Sequence, residues 1–108
     1  MHFVVHALDH PDALPKRLDV IDAHRTYLQL TRADVKILMS GPLVVDDGKT
    51  MKGSFFLLDA DGRDAVEAMF AGDPLAQAGI WQDVSVTRVW VRQNHVGPLD
   101  DRTGGEVP

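Results

Sequence analysis

The chain has 108 residues, 44% apolar and 25% charged, an ordinary globular composition at a length that fits one domain around one core and argues against a second. A formal net charge of -5 and a pI near 5.3, with no basic stripe, set the surface against phosphodiester backbones, so nucleic acid is not an expected partner. With no cysteine, disulfides and thiolate metal sites are excluded, and core packing and strand pairing must supply the stability.

The opening MHFVVHALDHPD lacks the basic start of a signal peptide, and no apolar run approaches the roughly 18 residues of a membrane span. The expectation is a cytoplasmic protein that does not enter a membrane. Within this opening, His2 to Leu8 is short and β-branched and is bounded by Asp9-His10-Pro11-Asp12, which predicts a strand and a turn. From about Ala13 to Ala33 the spacing is helical. Asp12, Asp19 and Asp22 are candidate caps, and Pro15 suggests a short opening turn before a main helix from about Val20. On that helix Val20, His24, Tyr27, Leu28 and Thr31 share one side, which points His24 inward.

Two apolar runs follow, Val35 to Val45 and Met51 to Ala60, joined by Asp46-Asp47-Gly48-Lys49. The Asp-Gly pair suits a turn needing positive φ, which predicts a hairpin. Gly41-Pro42 interrupts the first run and is read as a bulge or the end of pairing, and Gly53 lies in the second run. Ala60 to Gly72 reads as a second helix, with Asp61 as candidate cap and Gly72 as stop. Asp73-Pro74 begins a short turn through Ala78-Gly79, and Ile80 to Gln93 has the composition of a last strand. Residues 1–93 form the expected domain. Residues 94–108, rich in glycine, proline and acid, are expected to be a flexible or partner-contacting tail.

The order strand, helix, strand, strand, helix, strand predicts an α+β, ferredoxin-like βαββαβ sandwich: an antiparallel four-stranded sheet with two helices on one face. Alternate strand residues on the other face are also largely apolar, so a homodimer closed back to back by a two-fold axis is expected. An RNA-recognition module shares this order, but KGSFFLL lacks the exposed stacking aromatics flanked by basic residues.

Several residues carry chemistry on their own terms. His24 reads as a general acid or base, since imidazole changes charge near neutrality, or as a core histidine with a backbone partner. Ser40 and Gly41 offer a hydroxyl and an amide where the strand breaks, with Pro42 closing the break, or they are only a bulge. Arg17 reads as a hold for an anionic or phenolate oxygen, or as a solvated surface arginine. Asp73 before proline reads first as a helix cap. His2, His6 and His10 are four apart, but in a strand only the first two share a face, so no metal is expected. Tyr27, Phe55, Phe56, Trp81 and Trp90 read as pocket aromatics or as core, with Phe55 and Phe56 on opposite faces.

From Met1 to Gln93 the chain resembles the YciI (YCII-related) family of the dimeric α+β barrel group. The resemblance rests on Lys16-Arg17-Leu18, His24, Ser40-Gly41-Pro42, the Gly53 strand, Asp73-Pro74, Ala78-Gly79 and Val84-Ser85-Val86. It implies an active site of a first-helix histidine and an aspartate, here His24 and Asp73, and chemistry without metal or organic cofactor, as in a relative that removes chloride from a chlorinated hydroxyhydroquinone. The implied function is a lyase or isomerase acting on a small aromatic or enolisable molecule. A non-catalytic small-molecule binding or accessory protein of the same fold is the alternative. Two departures from relatives stand out: Asp34-Val35 replaces a helix-ending glycine, which implies a left-handed Asp34, and Ile21-Asp22 replaces Arg-Pro before the histidine.

Overall fold

The computed structural model describes residues 1–101. Its elements are β1 (His2–Asp9), α1 (Leu14–Leu28), β2 (Val35–Val44), β3 (Met51–Ala60), α2 (Arg63–Ala71), the one-turn α3 (Pro74–Gln77) and β4 (Trp81–Val89). The strands form one antiparallel sheet in the order β2-β3-β1-β4. This is the expected ferredoxin-like sandwich, with β2 and β4 at the edges.

Alternation sorts the two faces. On β1, Phe3, Val5 and Ala7 are buried and stand opposite Leu58, Phe56 and Ser54 of β3. With Val66, Met69 and Phe70 of α2, Leu75 of α3, and Ile80 and Trp81, they make the core. Burying these side chains supplies most of the stabilisation, at ~25 cal/mol per Å² of apolar surface. The opposite face carries Val4, Phe55, Leu57 and Met39, and among the described residues no helix covers it.

Local chemistry sets the connections. In the β2-β3 hairpin, Gly48 takes φ +72°, and Asp47 Oδ1 accepts the backbone N–H groups of Lys49 and Thr50 at 2.8 Å each. Those bonds, led by the Thr50 hydroxyl, hold the Asp47 carboxyl below its usual value. At Gly53 the neighbouring β1 comes so close that a Cβ would lie 2.2 Å from the Ala7 carbonyl oxygen. Gly53→Ala is therefore expected to force β1 and β3 apart and cost about 1–3 kcal/mol, read as a lowered urea midpoint. An unchanged midpoint would show that the strands can part freely here.

Four local expectations need correction. The first helix starts at Leu14 with Pro15 in its first turn, where the missing N–H breaks no helical bond. Its N-cap is Ala13, without a side-chain bond, so Asp12, Asp19 and Asp22 cap nothing; it ends at Leu28, which leaves Thr31 outside the buried side. The residue that turns left-handed is Asp12 (φ 63°), and Asp34 does not. Asp61 does not cap α2, whose N-cap is Gly62; instead its N–H donates to the Asp34 carbonyl at 3.0 Å. Gly41-Pro42 stays in register with Phe55 and Ser54, and the irregularities lie at Ile37/Met39 and Leu43/Val44. Because β2 is an edge strand, it tolerates proline's missing donor.

The last strand ends at Val89. The described part of the tail, to Asp101, returns to the sheet end. There the His2 imidazole shares a hydrogen bond with the Asp100 carbonyl at 2.7 Å, and Lys36 pairs with the Asp100 carboxylate. Residues 102–108, the remainder of the expected tail, lie outside the described residues.

Candidate active site

One side of α1 presents Arg17, Ile21, His24, Arg25 and Leu28, at intervals of three and four that superpose along the helix. They roof a cavity of about 190 Å³ whose other wall is Ser40, Gly41 and Pro42 of β2 with Met51, Ser54 and Phe56 of β3. Register explains that wall. Ser40 stands opposite Phe56, and Pro42 opposite Ser54, so all four turn to the helix side.

His24 is 6% exposed, and its Nδ1 lies 2.8 Å from each carboxylate oxygen of Asp73. The acceptor on that side assigns the proton of the neutral ring to Nδ1 and the lone pair to Nε2, and the residue lines the cavity. Asp73 is fully buried behind the ring. It is also the N-cap of α3, with Oδ1 accepting the Leu75 N–H at 2.8 Å, so one carboxylate serves as cap and as histidine partner. Phe56 and Trp81 meet the imidazole edge-on, each with centroids 6.3 Å away. Pairing on one edge and rings on two flanks fix the imidazole's orientation.

Arg17 is not a solvated surface residue: it is 1% exposed. Its Nη1 donates to Asp9 Oδ1 and Oδ2 at 2.9 and 3.1 Å, and its Nη2 to Ser54 Oγ at 2.9 Å. Its Nε is buried with no hydrogen-bond partner among the described residues. Burial raises the Asp9 carboxyl above its usual 3.8, against the lowering effect of Arg17's charge and hydrogen bond.

All six residues singled out in the sequence converge: Arg17, His24, Ser40, Gly41 and Pro42 line the cavity, and Asp73 backs His24. Of the aromatics, Phe56 lines it, Trp81 braces the imidazole, and Tyr27 donates to the Met69 carbonyl at 2.6 Å. Phe55 faces away, and Trp90 is exposed. Asp9 and Ser54 escaped sequence reasoning. Both nonetheless fall on the buried alternation of their strands, Asp9 after Phe3, Val5 and Ala7, and Ser54 before Phe56, where a polar group needs a partner. The three histidines do not gather; His2 instead has ligand atoms near those of Asp59 and Asp101, within 4.8 Å of one another. The Met1 ammonium is seated on those two carboxylates at 3.2 and 3.1 Å.

Among known proteins, the family model for the YCII-related domain matches residues 1–90. Protein YciI of Escherichia coli O6:H1 is 33% identical over 91 residues, which are 80% of this chain and 93% of that protein. A Haemophilus influenzae protein is 32% identical over the same shares of each chain. Among solved structures, the 5-chloro-2-hydroxyhydroquinone dehydrochlorinase of Burkholderia phenoliruptrix AC1100, in complex with 2,5-dihydroxybenzoquinone, matches with TM-score 0.74 and 32% identity. That match covers 83% of this chain and 94% of the enzyme's.

Proposed function

Since the chain belongs to the YCII-related family, we propose that it is an enzyme of small-molecule metabolism. In this reading His24 moves a proton on a small hydroxylated or enolisable ring, leading to elimination or isomerisation. The observation that carries the reading is an imidazole whose Nδ1 is held 2.8 Å from a buried carboxylate while the ring lines a cavity. A structural neighbour that dehydrochlorinates a hydroxyhydroquinone supports the substrate class.

Each step has a residue. His24 Nε2 takes a proton from the bound ring, and the electron pair left behind moves onto a substrate oxygen. Collapse of that oxyanion either expels a leaving group such as chloride or draws the proton back at another carbon. Asp73 keeps the ring oriented and balances the charge it gains. Ser40, the Gly41 backbone and Arg17 bind the substrate's polar atoms, and Pro42 shapes the edge. These steps draw on side chains and backbone alone.

Size supports one ring rather than two, since an engineered cavity of about 150 Å³ accepts benzene and this one is about 190 Å³. The test is turnover of chlorinated hydroquinones and enol lactones by the purified protein, followed as chloride release or a spectral change. Tight binding of such compounds with no turnover would instead favour a binding or accessory role.

The same reading makes the working unit a homodimer. Val4, Phe55, Leu57 and Met39 form an apolar face that no helix among the described residues covers, and a two-fold axis would bury it against its copy. The protein should sediment at twice its 11.9 kDa chain mass, and Leu57→Asp should yield monomers. A monomeric wild-type protein would refute the assembly.

A further inference from the structure

The cavity holds more hydrogen-bond donors than proton transfer at His24 requires. Ser54 Oγ accepts from Arg17 Nη2 at 2.9 Å. A hydroxyl that accepts in this way still has its own O–H to donate, and among the described residues that proton meets no acceptor. The Nε–H of the same Arg17 is also buried and, among the described residues, unpartnered. Leaving a buried donor unmade is costly, so two unsatisfied donors on residues that line the cavity call for an acceptor from outside.

Charge gives that acceptor its sign. Asp9 engages the guanidinium through both oxygens on Nη1, which fixes the fork with Nη2 on Ser54, and both Arg17 and Ser54 line the cavity. Asp9 itself does not line the cavity. At the wall, Arg25 adds a second cation, held only loosely by Asp22 at 3.7 Å. Among the described residues, no carboxylate lines the cavity. The basic nitrogen of His24 is committed to the proton being moved.

We propose that Ser54 and Arg17, held by Asp9 as a positioning residue, form a binding site for an ionised oxygen. The substrate then enters as a phenolate or enolate and presents a second, proton-bearing position to His24. The inference rests on the reading of this cavity as the substrate site, and it adds Ser54 as the specificity-determining donor. It also orders events: the first hydroxyl is ionised on binding, and His24 acts on another atom of the same ring.

The test uses the full chain and 4-nitrophenol, whose phenolate absorbs in the visible, titrated with pH in the free and bound states. The expected result is a preference of about tenfold or more for phenolate over phenol, the scale of a hydrogen bond to a charged group. Ser54→Ala should lose most of it. Asp9→Asn should weaken it through the loosened Arg17. His24→Ala should keep it, so loss of turnover there with retained phenolate preference separates this site from the proton-transfer reading. Binding of the neutral phenol, no binding of the phenolate, or a Ser54→Ala protein with wild-type preference would each overturn the proposal.

Discussion

His24→Asn is expected to reduce turnover by about 10²- to 10⁴-fold, the range that a positioned acid or base supplies, while the protein folds as before. Asparagine places an N–H near the position of Nδ1, so the buried Asp73 carboxylate keeps a donor as well as its bond from Leu75. What disappears is the atom at the Nε2 position. His24→Ala should lose as much activity and also some stability, because Asp73 is then buried with one fewer partner, at about 1–3 kcal/mol. The comparison separates catalysis from packing. If both variants turn over substrate at the wild-type rate, the imidazole moves no proton.

The largest effect on stability is expected at Asp9. Asp9→Ala leaves the Arg17 guanidinium, 1% exposed, without its carboxylate. Breaking such a pair costs about 3 kcal/mol at the low end of the observed range, the end that suits an arginine retaining Ser54 and bordering a cavity. For a domain of this size the melting temperature should fall by roughly 12–24 °C. Asp9→Ala with Arg17→Met removes both charges and should recover most of that loss. A single variant melting with the wild type would mean that water already solvates Arg17.

The pH dependence at Asp9 has a defined sign. Its folded carboxyl lies above the usual 3.8 because burial outweighs Arg17, so the native state binds this proton more readily than the unfolded chain does. As pH falls through the raised value toward 3.8, Asp9's contribution to stability rises. Asp47 has the opposite sign: its lowered value gives a contribution present above 3.8 and lost as pH falls below it.

Sheet and helices were legible because their signals are local. Phe3, Val5 and Ala7 alternate, Asp47-Gly48 marks the hairpin, and His24 lies one helical face from Val20 and Tyr27. Topology then followed from element order. Arg17 was harder: a basic residue early in a helix is solvated unless something distant buries it, and what buries it is Asp9 from the preceding strand and Ser54 from β3, 37 positions on. The left-handed Asp12 and the irregularity beside Leu38 depend on how turn and edge strand meet the rest of the sheet, which spacing does not encode. Asp73 lay between the two cases, since its cap was readable from Asp-Pro while its histidine partner is 49 positions away.

A crystal structure with a hydroxylated quinone diffused into the protein would show where His24 meets its substrate. The expected result is a ring in the cavity with an oxygen or proton-bearing carbon within about 3.2 Å of His24 Nε2, and Nδ1 still on Asp73. A ligand seated elsewhere, with that nitrogen facing only water or apolar atoms, would contradict it.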